Sequence, residues 1–253
     1  MENLPFGKPD YRQFQNTFLA SVIVGMTYPQ VADAASRTEQ WGRFTRALFS
    51  VEPMDGIFQR PLTISRSDNK LGFVFDTWRT QVHISGDGYQ NFADSVIPHA
   101  YKLKEFVTEV AGCQNPLQVG IRKIDVFQVK AEKGKPVDEK ALRNHFFSKV
   151  YLDQEDNQVQ LDPEEKQQMP TMLKHIWAEG PYELTIRSTF VKLQGVEDMY
   201  RMILDTDEQY TPGNGVNLDK LDEWLKEMNT DLYRAFMWCV SDNVKRIMEK
   251  GKE

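Results

Sequence analysis

Cysteine is nearly absent from this chain. Cys113 and Cys239 are all there are among 253 residues, too few for a disulfide framework or a zinc site, so both are expected as free thiols. Histidine is scarce as well. His83, His99, His145 and His175 stand far apart, none in an HExxH or comparable signature, and each reads as a surface or packed imidazole rather than a base. No apolar run approaches bilayer length, and the stretch from Met1 to Asp10 lacks a basic region followed by an apolar one, so no secretion signal is read and a cytoplasmic location is expected. Positive charge is in deficit. A net charge of −6 and a pI near 5.4 disfavour sequence-independent binding to a phosphate backbone, while leaving room for a local basic patch. A phosphate-cradling glycine loop is also missing, as is any complete catalytic constellation.

What is present is globular: 40% hydrophobic and 27% charged residues exclude disorder. The most regular stretch is the last one, from Asn217 to about Met248. Leu218, Leu221, Leu225, Met228, Leu232, Ala235, Phe236, Cys239 and Val240 recur at steps of three and four, which predicts one helix of roughly 45 Å with a buried face. Lys220, Glu223, Glu227, Asp231, Arg234 and Lys245 fall on the opposite, solvent-facing side.

Upstream, Thr17 to Met26 is rich in β-branched residues and predicts a strand; Val31 to Phe49 has looser helical spacing after Pro29. Three runs, Pro61–Ser65, Leu71–Phe75 and Trp78–Ile84, read as an antiparallel meander. Gly86-Asp87-Gly88 breaks it before a helix from about Tyr89 to Val110, ended by Gly112. The order then begins again, with a strand at Leu117–Val129, a helix after Pro136 and Asp138 holding Leu142, Phe146 and Val150, and strands at Tyr182–Phe190 and Tyr200–Leu204. The reading is one α+β domain over 1–253, a mostly antiparallel sheet with long helices on one face. Its two β-α-β-β-α halves cover about 14–112 and 116–249. Within the second half Asp153 to Gln168 carries six acidic residues against Lys166 alone, a solvated insertion suited to meeting a basic surface.

Three places invite chemistry. In Gly120–Val126 the apolar positions are odd up to Ile121 and even from Ile124, a slip at Arg122-Lys123 that a β-bulge would produce. Arg122 would then bind an anion in a cleft or pair with a carboxylate such as Asp125 or Asp205, and the structural pairing is the plainer reading. Asp205 and Asp207 close a strand where carboxylates can hold Mg²⁺, yet no spaced third ligand accompanies them and acidic residues commonly end strands. Trp78, Arg79 and His83 on the meander would suit a stacking platform for single-stranded nucleic acid, although aromatic residues in sheets mostly pack the core.

Val119–Asp125, Ile203–Asp207, and Leu221 to Met248 with Phe236 and Ser241-Asp242 resemble three segments of a sporadically distributed, mostly uncharacterised bacterial protein family of about this length. These are its V-G-x-R-aromatic-I-N strand, its L-L-D-x-D strand and its terminal helix. Lys123 stands in place of the aromatic, Asp125 in place of Asn and Ser241 where Thr is usual, as in a divergent member. The resemblance implies no activity, cofactor or catalytic residue. It implies a cytoplasmic accessory protein, often of mobile or defence-related loci, CRISPR loci among them by size alone. The expectation is therefore a non-catalytic protein, without cofactor or metal, that contacts another protein of its locus through the acidic insertion, away from membranes and nucleic acid. The alternatives are a metal-dependent enzyme on a nucleotide or nucleic acid, through Asp205, Asp207 and Arg122, and a single-strand binder through the meander.

Overall fold

The computed structural model describes residues 1, 4–7, 17–31, 44, 62–65, 69–130, 137–153, 172–193 and 199–250. The sequence-predicted helix at Val31–Phe49, apart from Val31 and Phe44, and the acidic insertion from residue 154 lie outside them. The described residues build an eight-stranded sheet in the order β2-β3-β4-β1-β5-β8-β7-β6. The strands are β1 (Leu19–Thr27), β2 (Leu62–Ser65), β3 (Leu71–Phe75), β4 (Arg79–Ser85), β5 (Gln118–Lys130), β6 (Met172–Glu179), β7 (Tyr182–Lys192) and β8 (Met199–Tyr210). The helices are α1 (Phe92–Ser95), α2 (Ile97–Glu105), α3 (Glu139–Phe146), α4 (Lys149–Leu152), α5 (Leu221–Cys239) and α6 (Asp242–Lys250). The fold is α+β with an antiparallel sheet and a long C-terminal helix. Among the described residues no helix is long and apolar enough to cross a membrane.

Four of the predicted elements need correction. The sequence read two strands after the helix of the second half, but there are three, because β6 precedes β7. Its inward positions are His175 and Trp177, opposite Ile186 and Leu184, while Lys174 and Ile176 point the other way, so a polar residue inside and an apolar one outside blur the alternation. The helix expected over Tyr89–Val110 is α1, then α2, then a π-turn at Phe106–Val110, ended by Gly112 in the left-handed region at φ 69°. The terminal helix stops at Cys239 and restarts at Asp242. Val240 forms a bridge with Phe147 instead, and the Ser241 hydroxyl accepts from the Val244 amide to cap α6. Asp231, assigned to the solvent side, is 3% exposed. It accepts from the Met1 ammonium at 2.7 Å and from Arg234 at 2.8 Å, and Arg234 also donates to the Phe6 and Gly7 carbonyls.

The chain packs as two compact units: unit 1 holds Met1–Ala20, Lys123–Glu208 and Thr230–Glu253, and unit 2 holds Ser21–Arg122 and Gln209–Asn229. In unit 1 the helix-side residues of the strands meet α3, α4 and the end of α5. Phe127 lies 5.1 Å from Phe146, Tyr151 donates to Ser188, and Trp177 and Trp238 meet edge to face at 5.8 Å. Ser148 closes α5 by donating its hydroxyl to the Trp238 carbonyl and its amide to that of Cys239, satisfying groups that a helix end leaves open.

In unit 2, β1, β3 and β4 set Val22, Val24 and Met26 beside Ile84, Val82 and Thr80, with Phe73 and Phe75 next in register. Phe75 packs on Phe106 at 4.6 Å, and Phe44 packs on both. Leu221, Leu225 and Met228 of α5 are buried as their spacing required. The loop feeding α5 needs its glycine: Gly215 has φ 76°, and a side chain there would meet Asn115 at 2.9 Å.

Candidate functional site

The predicted slip in β5 is not there. Val119, Ile121, Asp125 and Phe127 are all buried, so one parity faces the helices throughout. Two contacts bracket the strand against β1, Thr27 with Gln118 and Phe18 with Phe127. The same number of residues separates them on each strand, which leaves no extra residue for a bulge. The sequence pattern had broken because Lys123 and Asp125 occupy inward places where apolar residues were expected, while Ile124 and Val126 take the other face.

Arg122 and Lys123 therefore project to opposite sides and do not form one cluster. In unit 1, Asp125 is 5% exposed beside Lys123. Burial raises its carboxyl from 3.8 to about 7 against the pull of the Lys123 ammonium. Burial lowers Lys123 from 10.5 to about 8 against the support of Asp125. The buried thiol of Cys239 is held well above its ordinary range by the same desolvation, and by the charge of Asp125. Asp125 and Cys239 of that cluster are buried, and Lys123 is half-buried beside them.

Asp205 and Asp207 alternate with the buried Met202, Leu204, Thr206 and Glu208 along β8, which sets them on the side away from Asp125. Asp205 is 7% exposed and accepts from Arg187 Nη1 at 3.1 Å. Among the described residues no group of three His, Cys, Asp or Glu is placed to hold a metal ion.

The remaining candidates come together in unit 2. On β4 the inward Thr80, Val82 and Ile84 alternate with Arg79, Gln81 and His83, which sit beside Thr27, Gly25 and Ile23 of β1 on the face away from the helices. Arg122 joins this face by parity with Gln118, whose side chain meets Thr27. Its charge, after partial burial, lowers the pKa of the exposed His83. Trp78 is 44% exposed and lies under the Arg79 guanidinium at 4.7 Å, a cation–π contact rather than a bare stacking surface. Gln81, Gln118 and Thr27 were missed on sequence grounds. Their signal was present as polar residues alternating with apolar ones on strands that also carry the named cations.

No family model matches the chain, and no curated protein matches it. Among solved structures a similarity is found to Methanococcus jannaschii TBP, at 12% identity over 84% of this chain and 95% of that chain, with a TM-score of 0.27. A TM-score that low does not establish a shared fold.

Proposed function

We propose that this chain is a binding protein without chemistry of its own, an accessory that contacts another protein of its locus. The observation that supports this reading is how the titratable groups of unit 1 are held. Within unit 1 Asp125 lies in the core beside Lys123 and Asp205 accepts from Arg187, and among the described residues no group of three His, Cys, Asp or Glu is placed to hold a metal ion. The bacterial mobile- or defence-related setting, CRISPR loci included, rests on the family resemblance and belongs to the proposal, as does a cytoplasmic location. The acidic insertion is one contact open to such a partner; the polar face of unit 2 is another.

The test has two arms. A protein captured by the chain from its native host is purified and titrated back, and saturable binding at a fixed ratio is expected, unchanged by Asp205→Asn. In parallel the chain is incubated with nucleotides and oligonucleotides in Mg²⁺ or Mn²⁺. Turnover that disappears in Asp205→Asn would replace this reading with a metal-dependent enzyme.

A further inference from the structure

We infer that two copies of this chain join through the open edge of β6, pairing it antiparallel with β6 of the second copy about a two-fold axis at Ile176. The contact is separate from the host partner proposed above. β6 ends the strand order and is paired on one side alone, with β7. Its register runs without a break from Met172↔Thr189 to Glu179↔Tyr182, so no bulge turns the edge aside, and no proline interrupts it. The two-residue turn at Gly180 and Pro181 closes on the Glu179–Tyr182 pair, as hairpins of that length close on a hydrogen-bonded one. Counting back from Glu179 by alternate residues, Trp177, His175 and Leu173 direct their amides and carbonyls at β7, and Ala178, Ile176 and Lys174 turn theirs to the edge. Among the described residues none of these three has a hydrogen bond outside the β7 ladder. Ile176, at their centre, is 42% exposed.

Charge selects a second copy as the occupant and fixes the register. On the face that carries Ile176, Lys174 stands beside Arg187 and Ala178 beside Glu183 of β7. Neither Lys174 nor Glu183 has an ion-pair partner among the described residues. A two-fold axis at Ile176 places Lys174 of each copy opposite Ala178 of the other, whose methyl leaves room for the ammonium to reach Glu183 one strand further on. Symmetry makes that contact twice, while the two exposed Ile176 side chains cover each other. On the helix side the same register sets Trp177 opposite His175 of the second copy, extending the stack that these residues form within one chain at 5.8 Å. Other registers fit less well. An axis at Lys174 opposes two ammonium groups, and one at Ala178 runs Ile176 against Gly180 of the turn. A strand from another protein would have to supply both charges at this spacing, which a second copy does by symmetry.

Sedimentation velocity of the full chain at roughly 2 to 200 µM tests this. An edge contact is at the small end of those that hold proteins together, so a monomer–dimer equilibrium across that range is expected. Ile176→Lys, which brings like charges together at the axis, should leave a monomer throughout. Lys174→Glu and Glu183→Lys should each weaken the dimer at least about tenfold. Mixed together, those two variants should pair with each other better than either pairs with itself. Both exchanges in one chain, which keep the parent's net charge, should restore the parent's dimer. The charge variants serve if Ile176→Lys fails to fold. A parent that stays monomeric, a dimer indifferent to Ile176→Lys in the folded variant, or mixed charge variants that pair no better than they do alone would each overturn the inference.

Discussion

Asp125 and Lys123 show what a single position can hide. The sequence read their neighbourhood as a bulge because it assumed that inward places hold apolar residues; a buried pair of opposite charges satisfies the same places by neutralising itself. The pair makes stability depend on pH in a definite direction. The Asp125 carboxyl is raised on folding from 3.8 to about 7, so its contribution is complete below 3.8 and is lost as pH rises through about 7. Lys123 is lowered from 10.5 to about 8, so its contribution is complete above 10.5 and is lost as pH falls through about 8. These two groups are least favourable between about 7 and about 8. Asp125→Asn should therefore flatten the fall in melting temperature that the parent shows from pH 5 towards that window. Melting curves of parent and variant across pH check this, and parallel profiles would contradict it.

Helix α5 was legible because its burial is apolar and periodic. Leu221, Leu225, Met228, Leu232, Ala235 and Cys239 are all buried, as their spacing demands. Leu232→Ala should cost about 2–5 kcal/mol, and Leu232→Asp should unfold the protein by burying an unpaired charge. Glu227→Lys, on the exposed side, should leave the melting temperature close to that of the parent. What periodicity concealed was the end of the helix. Leu232, Ala235, Cys239 and Val240 run on towards Val244 and Met248 at helical intervals, so the apolar pattern passes through the break. The stop signal was Ser241-Asp242, a cap followed by an acidic first turn. Its hydroxyl also donates to the His145 carbonyl, linking α6 to α3. Ser241→Ala should cost about 1 kcal/mol in chemical denaturation, whereas Ser241→Thr should retain most of the cap.

For the molecule as a whole, composition pointed in one direction and the arrangement of charge in another. A pI near 5.4 argued against sequence-independent binding to a phosphate backbone, and that average concealed strands of unit 2 that carry no acid. The fold class was readable from alternation and helical spacing, and the meander from its turn residues. The pairing of distant strands was not, because contacts such as Thr27 with Gln118 and Phe18 with Phe127 join stretches about a hundred residues apart that no local pattern connects. The central claim is the proposal that the chain binds a partner protein and carries out no chemistry of its own. Calorimetric titration of the chain with a protein captured from its native host, run beside an assay with nucleotides and oligonucleotides in Mg²⁺, tests it most directly. The account predicts saturable binding at a fixed ratio that Asp205→Asn leaves unchanged. Turnover that needs Mg²⁺ and disappears in Asp205→Asn would contradict it.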